Sequence, residues 1–102
     1  MAVTEIRQAT ISRKTSETDI KMTLRIDGKG EADVDTGIGF FDHMLKSFAK
    51  HGVFDLALHV QGDLIVDCHH TIEDVGIVLG EAIKEAIGDK KSIRRYGDIM
   101  LP

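Results

Sequence analysis

The chain has 102 residues, of which 42% are hydrophobic and 29% charged; this is enough apolar material for one folded domain and too little chain for two. Thirteen Lys and Arg against seventeen Asp and Glu leave a formal net charge of -4, and that acidic balance speaks against general nucleic-acid binding, which needs cations to displace counterions from phosphates. The single cysteine, Cys68, excludes an intramolecular disulfide, residues 1–10 carry no apolar leader, and the apolar stretch at 76–80 falls far short of the roughly 20 residues of a membrane span, so a cytoplasmic protein without a membrane partner is expected.

In chain order, a weak apolar alternation over residues 4–12 predicts a first strand. Residues 19–26, Asp-Ile-Lys-Met-Thr-Leu-Arg-Ile, alternate strictly and predict a strand with Ile20, Met22, Leu24 and Ile26 inward and a wet opposite face. Asp27-Gly28-Lys29-Gly30 supplies turn chemistry before a short third strand over 31–35, so that the first third reads as an antiparallel meander.

Thr36-Gly37-Ile38-Gly39 breaks the strand pattern and leads into a helix predicted from Phe40 to Gly52, with Gly52 as its C′ glycine. At about 100° per residue, Phe41, Met44, Leu45 and Phe48 share an apolar stripe, and His43 falls on nearly the opposite side. A further strand follows with Phe54, Leu56, Leu58 and Val60 inward and Asp55, His59 and Gln61 outward, then a Gly62-Asp63 turn and the apolar segment Leu64-Ile65-Val66.

Residues 67–70 form the entrance to a second helix, predicted over 71–87 and stopped by Gly88-Asp89, with Ile72, Val75, Leu79, Ala82, Ile83 and Ala86 as its core stripe. Ile77 and Val78 lie off that stripe, and Gly76 and Gly80 permit close approach, which points to a second packing partner and hence to assembly. The tail carries Lys90, Lys91, Arg94 and Arg95, then Tyr96-Gly97.

Chemistry concentrates at Asp67-Cys68-His69-His70-Thr71-Ile72-Glu73. In a helix Glu73 shares a face with His69 (four residues apart) or with His70 (three apart), whereas the two histidines diverge by about 100° and more naturally serve two different metals. Imidazole and carboxylate together suit Mn, Fe, Co, Ni or Zn, and one cysteine is too few for a thiolate-based zinc or iron–sulfur site. Asp67 and Asp74 are candidates to orient the imidazoles. The plain alternative is a polar helix entrance with Asp67 as N-cap and Glu73 complementing the dipole.

His43 is a candidate third ligand, its plain alternative being an exposed helix position. His51, near a helix C-terminus, is assigned to capping, His59 to a wet strand face, and Cys68 to packing rather than nucleophilic attack. Arg94-Arg95-Tyr96-Gly97 offers guanidinium forks for a phosphate or else a solvated tail. Residues 13–18, Arg-Lys-Thr-Ser-Glu-Thr, read as a hairpin loop from which Glu17 is a candidate to reach a substrate.

Taken together, Arg13-x-Thr15-x-Glu17-Thr18, Thr36-Gly-Ile-Gly-Phe-Phe-Asp-His-Met-Leu45, Gly62-Asp63, Asp67-x-His69-His70-x-x-Glu73-Asp74-x-Gly76 and Arg94-Arg95-Tyr96-Gly97 resemble the imidazoleglycerol-phosphate dehydratase family, in order and over nearly the whole chain. That family carries two tandem repeats, each with a His-His-x-x-Glu motif, and this sequence resembles the first alone. The resemblance implies an α+β fold, an antiparallel or mixed four-stranded sheet backed by two helices, so that residues 1–102 form a single half-dehydratase domain.

The resemblance further implies two Mn²⁺ ions per site, other divalent transition metals being admissible, and dehydration of imidazoleglycerol phosphate to imidazoleacetol phosphate in histidine biosynthesis. Carried onto this chain, His43, His69, His70 and Glu73 match metal ligands, and Glu17 and Arg95 match substrate-binding positions. Glu17 and Glu73 are the candidate carboxylates for proton transfer, with the metal as template and charge stabiliser. The missing second repeat implies homo-oligomerisation, with like halves replacing the covalent pair. Three readings follow: a dehydratase assembled from half-units, a metal-binding homo-oligomer without turnover, and an unrelated α+β interaction domain.

Overall fold

The computed structural model describes residues 6–64, 68–91 and 93–102. Its elements run β1 (Gln8–Lys14), β2 (Thr18–Arg25), β3 (Ala32–Asp35), α1 (Gly39–Gly52), β4 (Asp55–Gly62) and α2 (His69–Ile87). The predicted starts at residues 1–5, the Ile65-Val66 part of the short apolar segment and the Asp67 cap lie outside the described residues.

The four strands form one mixed sheet in the order β1-β2-β4-β3. β1 and β2 make a hairpin (Lys14↔Asp19, Gln8↔Arg25), β2 pairs antiparallel with β4 (Thr18↔Gly62, Met22↔Leu58, Arg25↔Asp55), and β3 pairs parallel with β4 (Val34↔Leu58). The expected meander therefore fails at β3. The Asp27–Glu31 segment does not turn the chain back onto β2 but is held by Asp55, whose Oδ1 accepts the backbone N–H of Lys29 (2.9 Å) and Glu31 (3.1 Å). β4 then takes the place beside β2 that a meander would have given to β3.

Alternation sets the layers as the sequence predicts. Ile20, Met22 and Leu24 of β2 and Leu56 and Leu58 of β4 are at most 2% exposed, because successive strand residues face opposite sides and both sets of apolar positions lie in register. Ala9, Val34, Leu45, Ala49, Val75, Val78, Ala82 and Ala86 complete this single core. α2 packs across β1 and β2, and α1 across β3 and β4.

Both helical stripes differ from expectation by part of a turn. On α1 the buried residues are Leu45 and Ala49, with Phe41 packed against them, while Met44 and Phe48 are exposed. Phe48 instead stacks on Phe54, ring centroids 5.0 Å apart. On α2 the buried line is Thr71, Val75, Val78, Ala82 and Ala86; Val78 is a core residue and Ile72 faces out at 42% exposure. Small alanines let α2 lie close to the sheet, so their face, rather than the bulkiest one, turns inward.

The end of α1 also departs from the glycine rule. Val53, not a glycine, takes the left-handed conformation (φ 57°), and its N–H and that of Phe54 bond to Lys50 and Ala49 carbonyls. Gly52 is required for space: a Cβ there would fall 2.3 Å from the Phe54 ring.

Candidate metal and substrate site

The polar chemistry gathers at the end of the sheet where β4 leaves and α2 begins. α2 starts at His69, so both histidines occupy its first turn, preceded by Cys68 as an N-cap that makes no side-chain cap hydrogen bond. No acid stands in that first turn. Glu73 is not spent on the helix terminus: its Oε2 lies 3.0 Å from His69 Nε2, the i,i+4 pairing expected of one helix face, with both side chains more than half exposed.

His70 stays beside this pair: the His69 and His70 rings meet edge to face, centroids 5.7 Å apart and planes 64° apart, so the divergence expected of adjacent helical positions does not part the two rings. Cys68, His69, Ile72 and Glu73 line one side of an open depression. Cys68 is exposed, which corrects its assignment to packing.

Asp74, a candidate to orient the imidazoles, does something different. Its Oδ2 accepts the Thr18 hydroxyl at 2.6 Å and its Oδ1 lies 3.7 Å from Arg13 Nε. It thereby joins the second turn of α2 to the β1–β2 hairpin. That hairpin is formed as expected, closed by the Thr15 N–H bond to the Thr18 carbonyl (2.8 Å), with Glu17 half-buried at its tip.

The remaining candidates are carried by other elements of the chain. His43 is exposed on α1, just past Asp42, which anchors that helix. Among the described residues no three His, Cys, Asp or Glu side chains converge where they could hold a metal ion. Arg95 is exposed in the tail that follows α2. His51 sits exposed in the last turn of α1, and His59, on the wet face of β4, pairs with Asp33 Oδ2 at 3.1 Å.

The family pattern of imidazoleglycerol-phosphate dehydratase matches residues 36–102, from the strand end before α1 through the His-His-x-x-Glu helix and the arginine tail. The chain belongs to the imidazoleglycerol-phosphate dehydratase family. It is 62% identical over 96 residues to the imidazoleglycerol-phosphate dehydratase of Acetivibrio thermocellus, covering 94% of this chain and 49% of that protein. To that of Methanococcoides burtonii it is 62% identical over 97 residues, covering 95% and 51%. The crystal structure of imidazoleglycerol-phosphate dehydratase from Staphylococcus aureus superimposes with a TM-score of 0.77 at 34% identity, over 93% of this chain and 50% of the other. This dehydratase-family chain thus spans about half the length of the relatives it matches.

The donors fit a metal of the kind the sequence suggests. An imidazole nitrogen and a carboxylate oxygen 3.0 Å apart on an open helix face make a hard-to-borderline donor pair suited to Mn²⁺ and its first-row neighbours. Two donors alone are too few to retain such an ion.

Proposed function

We propose that the chain is a half-unit of imidazoleglycerol-phosphate dehydratase, whose copies complete one another's sites and dehydrate imidazoleglycerol phosphate to imidazoleacetol phosphate in histidine biosynthesis. The observation that carries this reading is the preformed His69–Glu73 donor pair on α2 in a chain of this family. His70, its ring plane turned 64° from that of His69, serves a second ion in this reading, and His43 is offered from α1 to a neighbouring copy. When bound, Mn²⁺ or a related divalent cation supplies a template for the imidazole ring and stabilises developing negative charge.

The residues of the chain account for the rest of the chemistry. The C–H proton on the carbon bearing the 2-hydroxyl is not acidic enough to leave unaided, and loss of the 3-hydroxyl needs a proton in return. Glu17 and Glu73 are the two carboxylates available to take one and give the other. Arg95 presents a planar fork of donors suited to the substrate's phosphate. Self-association is supported by the apolar side chains the helical layer leaves exposed, Phe40 at 74%, Met44 at 50%, Ile72 at 42% and Ile77 at 39%; Val78, first assigned to that surface, belongs to the core. Among the described residues no helix is long and apolar enough to cross a membrane, and with Cys68 as the only cysteine we place the chain in the cytoplasm.

A second reading is a metal-binding homo-oligomer of this fold without turnover, which needs the His69–Glu73 donor pair and none of the substrate contacts. Mass, bound metal and turnover measured on one sample separate the two. The dehydratase reading expects an oligomer retaining Mn²⁺ through dialysis and releasing imidazoleacetol phosphate. A metal-loaded oligomer without product leaves the second reading, and a monomer that retains no metal overturns both.

A further inference from the structure

At the junction of the β1–β2 hairpin and α2, hydrogen bonds run in one direction through three side chains. An ionised Asp74 carboxylate can only accept, so the Thr18 hydroxyl donates to it (2.6 Å). Having spent its proton there, the Thr18 oxygen accepts from the Thr15 hydroxyl (3.1 Å). The Thr15 oxygen in turn accepts the backbone N–H of Glu17 (3.2 Å) and of Thr18 (3.0 Å). Arg13 Nε, buried and without a hydrogen-bond acceptor among the described residues, lies 3.7 Å from the second Asp74 oxygen and balances its charge. Thr18 is only 3% exposed, so water competes poorly for these bonds.

We infer that Asp74 is a positioning residue. Acting through Thr18 and Thr15, it fixes the backbone of Glu17 against the helical turn that presents His69 and Glu73. Its two neighbours in the chain explain the geometry: Glu73 precedes Asp74 on α2 and Glu17 precedes Thr18 on the hairpin, so the Asp74–Thr18 bond holds the two candidate carboxylates at a set spacing. An aspartate suits this task better than a longer acid, since its short side chain transmits displacement of one element to the other. The coupling stands on these bonds alone, and only its consequence for turnover rests on the dehydratase reading.

Amide hydrogen exchange on the full chain tests it. Thr18→Val keeps the shape and removes the hydroxyl; exchange at Glu17 and Thr18 is expected to quicken about tenfold or more, the loss associated with a hydrogen bond to a charged acceptor. The α2 amides from Val75 to Ala86 should keep wild-type rates. Thr18→Ser restores the hydroxyl and should restore protection. Asp74→Asn keeps one acceptor, loses the Arg13 attraction and should fall between, and it serves as the probe if Thr18→Val does not fold. Loop exchange unchanged in both variants, or no rescue by serine, overturns the inference. Under the dehydratase reading kcat falls in Thr18→Val while Mn²⁺ affinity stays within about twofold, since no metal donor is touched. A wild-type chain without Mn²⁺ binding or turnover defeats that reading, and the exchange measurements still decide the coupling.

Discussion

The carboxylate of Asp42, in the first turn of α1, accepts both the backbone N–H (2.9 Å) and the hydroxyl of Thr36, which is fully buried at the end of β3. The bond fastens the edge strand to the helix that carries His43. Asp42→Ala leaves the Thr36 N–H without an acceptor and its hydroxyl with only the long bond to the Ile38 carbonyl (3.4 Å), and is expected to cost about 1–3 kcal/mol. Urea unfolding measures it, with Asp42→Asn, which keeps a carbonyl acceptor, losing less. An unchanged midpoint in the alanine variant would show that the anchor contributes nothing.

Gly62 ends β4 directly beneath Thr71, and a Cβ at Gly62 would lie 1.9 Å from Thr71 Oγ1. That hydroxyl is buried and has no hydrogen-bond partner among the described residues. Gly62→Ala should therefore destabilise by more than about 1 kcal/mol through overpacking. Thr71→Ala, which opens the space and discards an unsatisfied hydroxyl, should recover much of the loss in the double variant. Strictly additive effects in that cycle would contradict the contact.

Acid stability follows from two aspartates. Backbone N–H groups of Lys29 and then Glu31 hold the Asp55 carboxyl below the usual aspartate value, and the Arg7 hydrogen bond does the same for Asp27. A carboxyl with a depressed native pKa stabilises the fold above its unfolded value and loses that contribution as pH falls through the native one. Stability should thus be flat down to about pH 4 and decline below it. Asp55→Asn should be less stable at neutral pH and show a shallower acid decline; an identical pH profile in the variant would rule Asp55 out as a source.

Metal binding should depend on the α2 pair and not on the wet sheet face. His69→Ala and Glu73→Gln are each expected to weaken Mn²⁺ binding by more than about tenfold, read by titration calorimetry. His59→Ala removes the Asp33 partner on β4 and should leave the affinity alone. Equal losses in all three variants would move the site off α2.

The parts of the fold legible in sequence are those written in short-range patterns. Alternation placed Ile20, Met22, Leu24, Leu56 and Leu58 correctly, and i,i+4 spacing anticipated the His69–Glu73 contact. The pairing of β3 was not legible, because a four-residue strand carries too little pattern to choose between β2 and β4. Its partner was settled by Asp55 gathering the 27–31 segment. Side-chain bulk points to Ile72 rather than to Thr71 and Val78 as the inward side of α2, whereas the sheet accepts a narrow ridge. Chain proximity points Asp74 at the imidazoles, whereas its partners are Arg13 and Thr18, far away in sequence and adjacent only once the hairpin meets α2.

The central place of β4 sets an order on how this chain can be made. While it is being synthesised, the β1–β2 hairpin emerges complete, but β3 and α1 then leave the ribosome with no strand to join them to it. Until residues 55–62 appear, Met22 and Leu24 on one side and Val34 on the other have no shared neighbour. The single insertion of β4 closes the sheet from both sides at once, and non-local closures of this kind slow folding and leave strand edges open in the meantime. A nascent or truncated chain stopping before Asp55 is therefore the species most exposed to aggregation.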